Sequence, residues 1–424
     1  MKACVFTLGC KVNQCESFAL VRRLEELGWE VTESLSEDCE LYILNTCAVT
    51  NEGERKSRQV FHRLAKAHPR AKIVVCGCAS QKEPDKFLAE NGLVLGTMGK
   101  FSIPGRLAES GVHIAEEERF DDSLLPKNVR TRAYVKVQDG CNNFCSYCIV
   151  PYLRGRSRSR RPESVLAEIR ENTGTEEIVL TGINLSDYGR GVGSSLPELL
   201  QALSGTDKRV RLGSLEVGAV TRDLLGAAKK LARFCPQFHL SLQSGSDRVL
   251  RDMNRKYTRE EYLARCALIR EFFPDAALTT DVIVGFPTET EEDFEETLDL
   301  VRRAEFFEMH VFPYSRRKGT RAEALGMLGK EVVSARLARL GAVAEELKKK
   351  YLSGLVGETL EVLGETLEVL GETLETLGET EEEGLTFGHA RNYAGVYVPG
   401  APIGLCCQVK ITSLFRDGLK GERI

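Results

Sequence analysis

A chain of 424 residues is too long for one ordinary hydrophobic core and implies two or three domains. Hydrophobic residues at 42% and charged residues at 28% are ordinary for a globular chain. The formal net charge of −4 excludes no nucleic-acid role, since such binding depends on local patches. No run approaches the roughly 18 apolar residues that would span a bilayer, so no membrane partner is expected.

The opening stretch, "MKACVFTLGCKVNQ", reads as no secretory leader, because Gly9, Cys10 and Lys11 break its apolar run early. Fourteen cysteines in an unexported chain are not expected to form a disulfide framework. A reducing, cytoplasmic setting leaves them as small buried hydrophobes or as metal ligands.

The first hundred residues alternate strand and helix patterns. "ACVFTLG", "LYILNTC" and "AKIVVCGC" read as short buried strands. Between them, "QCESFALVRRLEELG" has helical spacing and stops at Gly28, and "EGERKSRQVFHRLAKAH" is closed by Pro69. Strand–helix–strand repetition predicts a doubly wound parallel sheet over residues 1–125. Ligands of such sheets gather at the carboxyl ends of the strands, and Cys10, Cys47 and Cys78 all fall at or just after such ends.

After a polar connector, "AEEERFDDSLLPKNVRTR", the alternation resumes over residues 130–352. Strands are predicted in "AYVKVQDGC", "EEIVLTG", "RVRLGSLE", "FHLSLQSG", "LTTDVIVGFP" and "MHVFPYS". The helix in "TETEEDFEETLDLVRRA" starts with a capping box at Thr290 and Asp293 and has an acidic first turn. About six β/α units in about 220 residues suggest an incomplete TIM-like barrel. The helix "EVVSARLARLGAVAEELKKKYL" closes it, and residues 354–424 change to short strands, a small β-barrel. The expected fold is therefore α/β, with an all-β terminal domain.

That terminal domain contains a seven-residue repeat over about 357–383: "GETLEVL" at 357 and 364, "GETLETL" at 371, then "GETEEEG". Its leucines have helical spacing, but each interior glycine costs a helix about 1 kcal/mol. One copy as a strand, with the others looped outward, is the reading adopted.

"GCNNFCSYCIVPYLRGRSRSRR" carries the chemistry. Cys141, Cys145 and Cys148 are spaced C-x3-C-x2-C, with no fourth Cys or His near the run to complete a zinc site. Three thiolates on a four-iron cluster leave one iron without a protein ligand, open to a small molecule. The arginines that follow suit a polyanion held over that centre, although an arginine run alone is usually a solvated face.

"CNNFCSYC" resembles the cluster loop of radical S-adenosylmethionine (SAM) enzymes, in which the open iron chelates SAM. With "LTGINLSDYG", "LGSLEVGAVT", "LSLQSGSDRVLRDMNRKYT", "DVIVGFPTETEEDF", "VFPYSRRKGT", "TLGCKVNQ", "LNTCAVT" and "VVCGCASQ", the chain is similar to the radical SAM methylthiotransferases over nearly its whole length. The resemblance implies a radical SAM barrel in the centre, a TRAM-type RNA-binding barrel at the end, SAM, and two [4Fe-4S] clusters. Cys141, Cys145 and Cys148 would hold the cluster that cleaves SAM to a 5′-deoxyadenosyl radical. Cys10, Cys47 and Cys78 would hold the auxiliary cluster that carries the transferred sulfur. Cys76 is a rival, since alternation along a strand would put it on the same face as Cys78; the match to Gly-Cys-Ala selects Cys78.

The same resemblance places Tyr147 near adenine, Gly182 and Asn184 at the methionine end of SAM, and Glu216 and Gln243 at its ribose. Asp281 opens a strand whose Gly285 permits close approach. For each polar residue the alternative is an ordinary loop hydrogen bond. Arg156, Arg158, Arg160 and Arg161 are assigned to RNA, whereas Arg154 would hold either the SAM carboxylate or an interdomain contact. The implied partners are a tRNA anticodon stem-loop, an electron donor of reductase or flavodoxin type, and a sulfur source. "TLGCKVNQ" is most similar to the branch acting on threonylcarbamoyladenosine beside the anticodon. The isopentenyladenosine branch has Met-Asn where this chain has Val12-Asn13, and a ribosomal-protein branch has Pro after the Cys. A catalytically silent iron–sulfur RNA-binding protein is the rival class; it would not need the SAM-pocket motifs.

Overall fold

The computed structural model describes residues 1–115, 131–365 and 384–424. The first part builds a parallel sheet from β1 (Lys2–Thr7), β2 (Glu30–Thr32), β3 (Leu41–Thr46), β4 (Lys72–Gly77), β5 (Leu93–Leu95) and β6 (Gly111–His113). Their spatial order is β2-β1-β3-β4-β5-β6. Crossovers α1 (Lys11–Glu26), α2 (Asn51–Ala67) and the short α3 (Cys78–Lys82) follow β1, β3 and β4. The central strand β3 is buried at all six positions, as a strand covered on both faces must be.

The second part runs β7 (Arg132–Lys136), β8 (Gln138–Asp139), α4 (Val150–Arg154), β9 (Arg158–Ser159), α5 (Pro162–Glu171), β10 (Glu177–Thr181), α6 (Leu196–Ala202), β11 (Arg209–Leu212) and α7 (Arg222–Lys229). It continues through β12 (Gln237–His239), α8 (Asp247–Asp252), α9 (Arg259–Phe272), β13 (Ala277–Val284), α10 (Glu291–Ala304), β14 (Glu308–Pro313) and α11 (Lys330–Gly354). Strands β7, β10 and β11 form one parallel sheet and β12, β13 and β14 another. Isolated parallel bridges, Val210 to Phe234 and Leu215 to Leu240, join the two along β11 and β12. The six strands follow the order expected for an incomplete TIM-like barrel. Alternate residues such as Ile178, Leu180, Val210 and Leu212 pack outward on the helices. The capping box at Thr290 is formed, and a second one, Thr258 with Glu261, opens α9.

In the third part, β15 (Thr359–Gly364), β16 (Leu385–Ala390), β17 (Gly395–Pro399), β18 (Cys406–Phe415) and β19 (Gly418–Arg423) close a barrel in the order β15-β16-β17-β19-β18. The first repeat copy is thus a strand, as expected; the remaining copies lie outside the described residues, as does the expected boundary between the first two domains. This barrel docks against the amino ends of β7, β10 and β11. Glu177 is buried there among Arg132, Arg209 and Arg211, and Tyr393 stacks under Arg132 and Arg211 at 5.1 and 4.9 Å. Among the described residues, no helix is long and apolar enough to cross a membrane.

Candidate metal centres

Strands β1, β3 and β4 are adjacent, so the loops at their carboxyl ends converge. Cys10 caps the amino end of α1, Cys47 directly follows β3, and Cys78 opens α3 directly after β4. The three thiols lie close enough to act on one another electrostatically. Side chains from the same motifs lace these loops together. Asn13 donates to the carbonyls of Leu8 and Thr46, at 2.8 and 3.0 Å, and Asn45 donates to the carbonyl of Asn13 at 2.9 Å. Thr46 donates to the carbonyl of Cys76 at 2.7 Å. None of these three residues carries a site role in the sequence reading; their signal is membership of the strand-end motifs.

Two glycines make the approach possible. Gly9 has φ of +106°, and a Cβ there would stand 2.8 and 2.9 Å from Cβ and Sγ of Cys47. Gly77 also has φ of +106°, and a Cβ there would meet the Thr46 backbone at 2.4 Å. Gly77 further separates Cys76 from Cys78, which corrects the expectation that they share a face. Cys76 packs with Ala3, Val5 and Leu41 in one layer, and Cys78 packs with Tyr42, Phe61 and Phe87 in the other. The left-handed glycine between them breaks the strand alternation.

The second group is on the loop between β8 and α4. Cys141, Cys145 and Cys148 also couple electrostatically, and Phe144 takes φ of +47° to turn the loop. The segment after α8 braces it from outside. Asn254 donates to the carbonyls of Asn143 and Phe144 at 3.0 Å each, and the amide of Ser146 donates to the carbonyl of Met253 at 3.0 Å. Arg255 donates to Sγ of Cys145 at 3.3 Å and to the carboxylate of Glu216 at 2.6 Å. The only sequence signal for Arg255 is its place in the motif "LSLQSGSDRVLRDMNRKYT".

All fourteen cysteines are free thiols. Burial pushes the thiols of Cys47 and Cys148 up to about 11 and about 12, so both are protonated at neutral pH. Loading a metal must displace those protons. Among the described residues no three His, Cys, Asp or Glu side chains close on a single ion. A four-iron cluster has the wider requirement, because its three protein thiolates bind three different irons. Two sets of three soft donors, each on a glycine-shaped or braced loop, fit that group.

The expected SAM residues fall around the second loop. Asn184 donates weakly to Sγ of Cys141, at 3.9 Å, and its amide is fixed by Gln138 at 2.7 Å. At Gly182 a Cβ would meet Oε1 of Gln138 at 2.8 Å. Glu216 is held by Arg255, and Tyr147 packs against Met253 and Phe286. Gln243, at φ of +71°, is bound through its backbone to Asp281, whose carboxylate sits 3.3 Å from Nε2 of His239.

The arginine strip divides. Arg156 and Arg161 are exposed. Arg156 lies 4.6 Å over the ring of Phe144, which meets Tyr152, 49% exposed, edge-on at 5.5 Å. Arg158 and Arg160 depart from the expected RNA-facing position. Arg158 donates to Asp139 at 2.9 Å because β8 and β9 pair Asp139 with Arg158. Arg160 is 3% exposed and ion-paired with buried Glu168 of α5. Of the two options for Arg154, the structure shows the interdomain contact: it bonds Glu16 of α1 at 2.9 Å and Asp139 at 3.0 Å.

Two family descriptions match the chain: the Radical SAM superfamily over residues 135–301 and the uncharacterized protein family UPF0004 over residues 2–99. The threonylcarbamoyladenosine tRNA methylthiotransferase MtaB of Bacillus subtilis is 37% identical over 96% of this chain and 92% of its own. The Thermotoga maritima enzyme of the same name is 35% identical over 97% of this chain and 95% of its own. A tRNA-2-methylthio-N(6)-dimethylallyladenosine synthase of Caldicellulosiruptor saccharolyticus is 38% identical over 85% of this chain and 81% of its own. Among solved structures, the radical S-adenosylmethionine methyltransferase TsrM of Kitasatospora setae covers 87% of this chain and 79% of its own. Its TM-score is 0.56 at 13% identity, a likeness of fold alone.

Proposed function

Because this chain belongs to the radical SAM methylthiotransferase family, we propose that it converts threonylcarbamoyladenosine beside a tRNA anticodon to the 2-methylthio derivative. The observation that carries the substrate is the 37% identity to the Bacillus subtilis enzyme, which spans 96% of this chain. Val12 of the opening motif, where the other branch has Met, supports the same branch. Cys141, Cys145 and Cys148 would hold the SAM-binding [4Fe-4S] cluster, and Cys10, Cys47 and Cys78 the auxiliary one. When bound, the clusters and SAM supply the one-electron cleavage and the sulfur that no side chain can provide for replacing an unactivated C–H hydrogen.

The chain's own residues position and enclose. Asn254 and Ser146 fix the loop of Cys141–Cys148, while Arg255 supplies a buried positive donor to Cys145 and orients Glu216. Asn184, Gly182, Tyr147 and Glu216 are assigned to SAM, together with Gln243, which follows β12, and Asp281 of β13. Arg156 and Arg161, beside Tyr152, would face the anticodon stem-loop: guanidinium forks for phosphate and a ring for a base. An external electron donor of reductase or flavodoxin type and a sulfur source complete the needs of the reaction, which would run in the cytoplasm.

Mass spectrometry of tRNA nucleosides from cells lacking and regaining this chain tests the reading. The 2-methylthio form of threonylcarbamoyladenosine should vanish and return. Loss of 2-methylthio-isopentenyladenosine instead, with the threonylcarbamoyl derivative untouched, would assign the chain to the other branch.

A further inference from the structure

Arg154 ends α4, the helix that follows the Cys141–Cys148 loop, yet its side chain reaches into the first domain. It is 1% exposed. Nη1 donates to Glu16 at 2.9 Å and to Asp139 at 3.0 Å; Nη2 donates to Asn13 and, at 3.2 Å, to Glu16. Its Nε is buried without a hydrogen-bond partner. Asn13, which it holds, also donates to the carbonyls of Leu8 and Thr46 beside Cys10 and Cys47, and α4 packs on α3, the helix that Cys78 opens.

The surrounding charges do not balance. Among the described residues, Lys100, Lys136, Arg154 and Arg158 share two carboxylates, Glu16 and Asp139. Even with Lys136 left out of the count, Lys100, Arg154 and Arg158 outnumber the two carboxylates they meet, in a network that is almost wholly buried. Buried positive charge in excess of its carboxylate partners is unfavourable, so the network favours a further anion next to it. A four-iron cluster on three thiolates is such an anion: it carries net negative charge, and more of it once reduced.

We propose that Arg154 is a positioning residue for the Cys10/Cys47/Cys78 cluster, spanning both domains and raising that cluster's reduction potential through its buried positive charge. This rests on the reading of those three cysteines as cluster ligands. The structure thereby ties the auxiliary site to the helix leaving the SAM-cleaving loop through one guanidinium.

The test is a redox titration, followed by electron paramagnetic resonance, of the full reconstituted chain. A background in which Cys141, Cys145 and Cys148 are all alanine lets the signal report the first site alone. Arg154→Gln should lower the midpoint potential, Glu16→Gln should raise it, and Arg154→Lys should fall between wild type and Arg154→Gln. Opposite shifts from the two partners of one ion pair are expected of an electrostatic role; a merely structural one would move them alike. Shifts of the same sign, or none at intact iron content, would overturn the proposal. Should Arg154→Gln lose its iron, Glu16→Gln decides: a raised potential supports the proposal, an unchanged or lowered one refutes it. A background protein that takes up no four-iron cluster strikes down the cysteine assignment and this proposal together, an outcome distinct from the others.

Discussion

At Gly9 the backbone sits at φ of +106°, and the space a side chain would need is taken by Cys47. Gly9→Ala should therefore strain the turn by about 1–3 kcal/mol and push Cys47 off its position. The expected result is that iron per reconstituted chain falls from about eight atoms to about four, two four-iron groups becoming one. Metal analysis checks this, and a variant that keeps both groups would contradict it. The arginines teach the limit of reading residues one at a time. In sequence they form one strip, and nothing in the strip distinguishes Arg156 from Arg160. The difference lies in partners elsewhere: Asp139 across the β8–β9 pair and Glu168 on α5. A binding titration should separate them. Arg156→Ala and Arg161→Ala should each reduce the salt dependence of tRNA binding by about one unit of slope. Arg160→Ala should leave the slope alone and destabilise the fold by about 2–3 kcal/mol, since it strands Glu168 in the interior.

The elements were the most legible level. The six parallel strands of the central barrel, β7 and β10–β14, each overlap a predicted stretch, and the α10 cap followed from Thr290 and Asp293 alone. What the sequence could not show was the seam between β11 and β12, where two isolated bridges replace a ladder, because pairing depends on the relative placement of distant strands. The repeat was readable in the same way. Glycine at every seventh position disfavours a helix, and the first copy is indeed β15. Gly364 at its end is required: a Cβ there would stand 2.4 Å from the carbonyl of Pro402. Glu365, the next residue, is held by Arg132 and His389. Deleting residues 366–379, two repeat lengths, should leave melting temperature, iron content and tRNA affinity unchanged. Loop-closure entropy alters by only about 1 kcal/mol over such a range. A large fall in tRNA affinity would show that the glutamate-rich copies contribute to binding.

Across the whole molecule, buried arginines hold the first domain against the barrel. Arg154 does this from one side; Arg317, in the segment after β14, does it from another. Arg317 is 2% exposed and donates to the carbonyl of Ala48 at 2.6 Å and to Glu54 at 2.7 Å, while Lys82 also meets Glu54 at 2.8 Å. Burial alone would raise the carboxyl of Glu54, but Lys82 and Arg317 outweigh it and hold the group down at about 2, against an ordinary value near 4.5. A carboxylate depressed in the folded chain stabilises it fully above the unfolded value. That contribution is lost as pH falls from about 4.5 through about 2, at roughly 3 kcal/mol over the full span. Glu54→Gln removes the titrating group, so the stability gap between wild type and variant should be constant from pH 7 to about 5. Below pH 4.5 it should narrow steadily as the wild type loses its advantage. Denaturation midpoints of both chains at matched iron content, taken at intervals from pH 7 to 3, measure the gap. A gap that persists unchanged at pH 3 would show that Glu54 acts by packing alone and that its ion pairs do not bind the two domains together.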